Sequence, residues 1–370
     1  MENVSSLAGG QYVVASEVVT PGRKNAGRWL IQLASLGLVA IVLVQILYET
    51  GTLSWGFENW RPVLYAFLVW AAALGAGQVI IRGEAGYRAL FLLPALLFTI
   101  LMVIFPTVFG LYIAFTDWNL SSFAGRRFNG LENLYALVND SFFWNALGNM
   151  IFYVLAVFVQ YAIGFGLALL LNADIRARKF FRVAFLLPFM LSPVAVSWMI
   201  GKSLMEYRFG PAATLARHLG WDSPAFFTTP WIARLSIVMM DSWVWIPFVM
   251  ILLLAGLQAL PKELLEAAKV DGATPWQSFW NITFPLMLPV SVTAIVIRII
   301  FQLKLADIVI NVTAGGPGGA TDTVSSFIFR EYRDRSNVGY GTMLAEFYLI
   351  LIIIFVMLLL NMVSRWMRKV

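Results

Sequence analysis

The block from Trp29 to Tyr48, WLIQLASLGLVAIVLVQILY, runs for 20 residues without one Asp, Glu, Lys or Arg. An α-helix rises about 1.5 Å per residue, so a block of this length covers the roughly 30 Å of hydrocarbon in a bilayer. It follows Arg23, Lys24 and Arg28 and no small-residue cleavage site comes after it. A signal peptide core is shorter, about 7–15 residues, so the block reads as a retained membrane helix.

Outward from this block, windows of about 19 residues give eight candidate spans. They run roughly 29–48, 62–81, 89–115, 144–171, 184–201, 233–257, 286–303 and 343–363. The apolar runs are continuous, which excludes the alternating pattern of a membrane β-barrel. The expected fold is therefore an all-α membrane protein of about eight transmembrane helices. Pro94 and Pro106 in the third block, and Pro188 and Pro193 in the fifth, predict kinks where a carbonyl loses its N–H partner. A short turn at 81–86 sets the first two spans apart as an appendage to a six-span core. The division expected is a cytoplasmic tail over 1–28, two extra helices over 29–86, and the core over 87–370.

Composition points the same way. Hydrophobic residues make up 60% and charged residues 12%, with a mean hydropathy of +0.79. Soluble domains lie nearer about 45–50% and 25%. The net charge is +6, but the basic residues form short clusters beside apolar blocks and not the continuous stripe that binds nucleic acid. Fourteen of the 26 Lys and Arg fall on one side of the eight-span topology. The strongest clusters are Arg176, Arg178, Lys179, Arg182 and Arg365, Arg368, Lys369. An even number of spans puts both termini on that side, and the excess of positive charge makes it the cytoplasm.

Several classes of chemistry drop out. With no cysteine, disulfides, thiol catalysis and Cys-based metal sites are excluded. The one histidine, His218, lies in a predicted outside loop without a His or Cys companion and reads as a surface or packing residue. A membrane-embedded enzyme needs paired carboxylates, a His cluster or a Ser/His arrangement inside the bundle, and none is apparent. No phosphate-binding G-x-x-x-x-G-K-[ST] loop is present either, because Val196 stands where Gly201-Lys202-Ser203 requires an upstream glycine.

The segment 258–289 is unusual for a membrane connector. It contains Glu266-Ala267-Ala268, Asp271-Gly272-Ala273 and Thr274-Pro275. Pro261 opens a short helix with Glu263 and Glu266 in its first turns, where carboxylates complement the dipole. Gly272 supplies a left-handed C-cap, and Thr274 with Pro275 starts a second helix. Trp276, Phe279 and Trp280 recur at helical spacing on one face. Such a helix–turn–helix lies along the membrane surface and presents a knob to something in the cytoplasm.

This spaced pattern, continued by Ile282, Pro285 and Pro289, resembles the EAA motif of the permease subunits of bacterial ABC importers. A second stretch, Thr313 to Thr321 with Gly315-Gly316-Pro317, resembles a segment of the carbohydrate-uptake branch of that family, the branch of maltose, trehalose and glycerol-phosphate permeases. The likeness covers roughly residues 87–370. It implies the type I importer fold, with the two N-terminal helices as an addition that an eight-span maltose permease also carries.

The resemblance further implies alternating access in a bacterial inner membrane. Glu266, Ala267, Ala268, Asp271, Gly272, Ala273 and Phe279 would dock on an ATP-binding subunit. The partners implied are a second permease subunit, two ATP-binding subunits, and a periplasmic or lipid-anchored solute-binding protein. ATP and Mg belong to the partner ATPase; this chain is expected to hold no cofactor and no metal. The substrate would be a sugar or sugar derivative, with a polyol, a glycerol phosphate or a charged sugar as the alternative. A secondary transporter is the rival class, and it would be favoured by inverted repeats that this sequence does not display.

A sugar path needs hydrogen-bonding groups and flat aromatic faces inside the bundle. Asp241, Trp243 and Trp245 in the sixth span meet that need, as do Arg298 and Gln302 in the seventh, four residues apart on one helix face. By resemblance the kinked fifth span adds Phe189 and Pro193. Asp241 and Arg298 either face substrate or pair with each other to fix helix register; Trp243 and Trp245 either stack on sugar or pack against neighbours and lipid. Asn145, Asn149, Gln160 and Glu346 are weaker candidates, expected at an interface with a partner subunit.

Overall fold

The computed structural model of the chain describes residues 20–367 apart from 124. The first 19 residues of the N-terminal tail, and Arg368 and Lys369 of the C-terminal basic cluster, lie outside these. The described residues are helical and form no strand, with isolated bridge pairs at Thr116–Phe128 and Asn119–Asn337. Seven helices are long and apolar enough to cross a membrane: Pro21–Glu49, Arg61–Arg82, Gly86–Ala114, Ser141–Asn172, Pro230–Gln258, Pro275–Gln302 and Val338–Met367. A bent pair, Arg178–Met190 with Pro193–Leu204, stands where the fifth span is expected, as a broken span or a re-entrant segment. In chain order these are the first to eighth spans, the bent pair being the fifth.

Two spans differ from the expected geometry. The fifth is no single kinked helix: its halves meet at 94°. Pro188 opens a tight turn, and Ser192 then caps a new helix by accepting from the Ala195 N–H at 3.2 Å. Two prolines five residues apart remove two ladder donors, and the serine between them supplies a fresh start. The seventh span begins eleven residues early, because the second half of the loop 258–289 runs without a break into it. Pro285 is accommodated by a wider π-type turn at Phe279–Thr283 just ahead of it, and Pro106 in the third span follows a similar turn at Ile100–Ile104.

The chain divides into two compact units, one ending at Phe109 and the other beginning at Gly110. In the first unit, the first two spans approach closely at Gly27 and Gly77. A Cβ on Gly27 would stand 2.9 Å from the Gly77 carbonyl oxygen, and one on Gly77 would stand 2.8 Å from Ile31 Cδ1. Small residues at such a crossing let backbones pack where lipid offers no hydrophobic drive. Trp70 Nε1 adds a 3.0 Å bond to Ser35 Oγ across the pair.

The second unit holds two apolar clusters. One gathers Tyr153, Val157, Met240, Val244, Ile299 and Leu344; the other gathers Phe165, Ala168, Val249, Leu253, Met287 and Ala294. The second is built from the fourth, sixth and seventh spans, the first mainly from these together with the bent pair, the segment after the seventh span and the eighth span, and a polar layer sits where the two adjoin.

Candidate functional site

That layer is made by one residue from each of three spans. Arg298 is fully buried and Asp241 is 2% exposed. Arg298 Nη2 donates to Asp241 Oδ2, closing a buried ion pair. Gln160 of the fourth span completes the group: it accepts from Arg298 Nε at 2.9 Å and donates to Asp241 Oδ2 at 2.9 Å and to Ser242 Oγ at 3.0 Å. Of the two readings left open by the sequence, the structure puts Asp241 and Arg298 in contact with each other. Burying two charges is tolerable only when each finds a partner, and here the charges meet each other while Gln160 bonds to both.

Aromatic rings close over the layer. The Arg298 guanidinium carbon lies 4.8 Å from the centre of the Trp245 ring, within cation–π range. Trp245 also meets Phe301 at 4.7 Å, Phe189 at 5.7 Å and Phe248 at 5.8 Å between ring centres. Phe189, at the bend of the fifth span, is 39% exposed and Phe301 is 44% exposed, so two rings of this cluster stay open. Arg298 Nη1 is buried without a hydrogen bond, and the buried Gln302 amide lies beside the Asp241 carboxylate. The arrangement can therefore offer open ring faces beside a buried polar layer. Trp243 does not join it: two residues along a helix is a rotation of about 200°, and Trp243 points outward from the bundle, 38% exposed.

A second polar group holds the Gly315-Gly316-Pro317 loop against the near ends of the fourth and sixth spans. Asn145 and Asn149 donate to the Gly319 carbonyl at 2.7 and 3.0 Å, and Asn149 also donates to the Asp322 carbonyl at 2.9 Å. Tyr153 OH donates to the Thr321 carbonyl at 3.1 Å. Arg234 Nε donates to the Ala320 carbonyl at 2.7 Å, and its Nη2 to Asn149 Oδ1 at 2.8 Å. Asn149 and Gln160, expected at a partner interface, are buried and bond to groups of their own chain, while Asn145 remains exposed beside the Gly319 carbonyl.

Inside that loop Arg330 Nη2 meets Asp322 Oδ2 at 2.5 Å, and Ser326 Oγ donates to Asp322 Oδ1 at 3.1 Å. Burial pushes the Asp322 carboxyl above its ordinary value, although Arg330 pulls the other way. The Glu331 carboxyl is raised as well, again chiefly by burial, with Arg335 opposing. Arg234 escaped the sequence reading. Its signal was available: a lone arginine four residues into an apolar block.

The loop 258–289 places its residues unevenly. A helix covers Lys262–Val270, and Glu266, Ala267, Asp271 and Gly272 are exposed while Ala268 is buried. Gly272 takes φ +79°, the left-handed turn expected of it. Thr274 and Gln277 form a reciprocal capping box, with Pro275 at the first helical position. Ala273 and Phe279 are half-buried, Phe279 packing on Phe165 at 5.7 Å and on Phe284 at 5.9 Å. Trp276 stacks on it at 6.2 Å and Trp280 meets it edge-on at 5.1 Å, and both remain exposed. An acidic, glycine-turned knob thus projects from a base pinned by aromatic rings. Among the described residues no cluster of His, Asp and Glu could hold a metal ion.

Seven apolar spans and a bent apolar pair, a charged layer sealed in the bundle and a projecting polar loop mark a multi-pass membrane protein. The chain belongs to the family of binding-protein-dependent transport system inner membrane components, whose pattern it matches over residues 160–370. It is 32% identical over 286 residues to the trehalose/maltose transport system permease protein of Thermococcus litoralis, an alignment covering 77% of this chain and 96% of that protein. It is also 32% identical over 253 residues to a probable starch degradation products transport system permease protein of Thermoanaerobacterium thermosulfurigenes, covering 68% and 85%. Among solved structures it resembles a chain of a bacterial ABC transporter involved in the import of the acidic polysaccharide alginate. The TM-score is 0.65 at 22% identity, over 83% of this chain and 98% of that one, a likeness that concerns the fold.

Proposed function

We propose that this chain forms one half of the transmembrane path of an ATP-driven importer and conducts a sugar or sugar derivative into the cytoplasm. The observation that carries the reading is the Trp245–Phe189–Phe301 ring cluster, with the Phe189 and Phe301 faces open beside the buried Arg298–Asp241–Gln160 layer. Sugars present flat apolar faces and hydroxyl edges, and this pairing of surfaces suits both. The relatives' transport of trehalose, maltose and starch products supports the same class. Because Asp241 already meets the charge of Arg298, a neutral sugar suits the layer better than an anionic one.

In this reading both termini are cytoplasmic, a second permease completes the path, and two ATP-binding subunits hold ATP and Mg. The knob at Glu266, Ala267, Ala268, Asp271, Gly272 and Ala273, seated on Phe279, transmits their closure. A solute-binding protein delivers sugar from the other side.

Co-purification of the tagged chain in mild detergent tests it. A second permease and an ATP-binding subunit should come down together, and uptake in proteoliposomes should require ATP and a neutral sugar. Recovery of a homo-oligomer that transports on an ion gradient alone would overturn the proposal.

A further inference from the structure

The short helix Arg178–Leu186 is built against its own dipole. Arg178 and Lys179 occupy its first turn and Arg182 the second, where the positive end of the helix repels cations, and no side chain caps its free N–H groups. Arg178 and Arg182, four residues apart, both turn inward onto the end of the sixth span. With the Gln258 amide oriented to satisfy them, its oxygen accepts from Arg178 Nη2 at 3.0 Å and also from Arg182 Nη2. The nearest acid is the exposed Asp174, 4.0 Å from Arg178.

Two guanidinium groups therefore share one neutral acceptor, and the Nε atoms of both are buried without a hydrogen bond. Cations converge here with donors to spare, and the one carboxylate in range, Asp174, is fully exposed and reaches only Arg178 at 4.0 Å. A groove of about 130 Å³ leads away from it, lined by Arg182, Gln258, Ala255, Leu254, Ile251 and Met250. Ile251, Ala255 and Gln258 recur at helical spacing and form an open strip, with Leu254 and Met250 buried beneath. From Gln258 to Ile251 the strip runs about 10 Å along the helix at 1.5 Å per residue, polar at one end and apolar beyond. Phe180, Phe181, Val183 and Phe185, on the outward face of the short helix, are exposed and suit a lipid surface.

We propose that this cleft binds an anionic phospholipid, its phosphate held by Arg178 and Arg182 and one acyl chain lying along Ile251, Leu254 and Ala255. A free phosphate would satisfy the arginines but leave the apolar strip bare; a lipid satisfies both. Bilayer phosphates lie at the depth where a spanning helix ends, which is where Gln258 stands. The inference needs the chain to sit in a bilayer and needs no particular substrate, so its failure would leave the transport reading untouched.

The test uses the assembled transporter, purified from membranes and exchanged into nanodiscs of phosphatidylcholine with phosphatidylglycerol. Native mass spectrometry then reads the ratio of the two lipids retained. Preferential retention of phosphatidylglycerol is expected, with at least a tenfold loss of preference in Arg178→Ala/Arg182→Ala. Ala255→Trp, which fills the groove and leaves the charge alone, should release the lipid while subunit composition stays intact. Equal retention by the wild type and both variants overturns the proposal. So does thermal stabilisation by inorganic phosphate equal to that by phosphatidylglycerol, which would mark a plain anion site. A photo-crosslinker at position 255 should capture lipid; capture of a partner subunit instead would make the cleft a protein interface and also overturn it.

Discussion

Asp241 and Arg298 come from different spans, 57 residues apart in sequence, and form an ion pair sealed from solvent with Gln160 as the third member. Removing one partner strands a buried charge, which costs about 3–5 kcal/mol, whereas replacing both with apolar groups of similar size is close to neutral. Arg298→Met and Asp241→Leu should each lower the melting midpoint sharply, and the double variant should recover most of the loss. Purely additive losses in a double-mutant cycle would mean that the pair does not act as a unit.

The open rings make a prediction about uptake. Phe189→Ala and Trp245→Leu should raise the KM for sugar about tenfold, near 1.4 kcal/mol, with the assembly intact. Trp243→Leu is the internal control, since Trp243 faces away from the cluster, and its uptake should match wild type. A loss with Trp243→Leu and none with the other two would place the sugar path elsewhere.

For the projecting loop, backbone geometry sets the expectation. Gly272 sits at φ +79°, a conformation that costs an L-residue about 1–2 kcal/mol and that proline cannot adopt. Gly272→Pro, and Glu266→Lys on the exposed face, should strip the ATP-binding subunit during purification and abolish ATP-dependent uptake while the chain stays folded. Normal transport by both variants would refute the coupling role of this loop.

These predictions draw unequally on the sequence. The spans were legible because apolar length is a one-dimensional property, and the capping of Thr274 and the turn at Gly272 were legible because they are settled within four residues. For the fifth span the prolines predict a kink and the structure has a 94° break: two prolines announce lost hydrogen bonds, but how far the chain turns depends on the cap at Ser192 and on packing. Asp241 and Arg298 were visible as charges in apolar blocks, yet their pairing depends on how the sixth and seventh spans are rotated, which sequence spacing does not specify. The burial of Asn149 and Gln160 against their own chain is hidden in the sequence for the same reason. Nothing local in the fourth span says that its polar face meets the loop after the seventh.

That loop carries the last prediction. The Asp322 carboxyl is held above its ordinary 3.8 mainly by burial, with the Arg330 contact only partly offsetting it. The folded protein thus binds this proton more tightly than the unfolded chain does. The resulting stability is fully present below about pH 3.8 and is lost as pH rises through the raised folded value. Glu331, raised from 4.5 by burial, acts in the same direction. Asp322→Asn keeps an oxygen for Arg330 but cannot ionise, so its melting midpoint should fall less than that of wild type between pH 4 and pH 7. Arg330→Ala removes the opposing cation and should steepen the fall, and hydrogen exchange across 313–326 should report both changes locally. Parallel pH profiles for wild type and Asp322→Asn would mean that this carboxyl does not govern the stability of the loop.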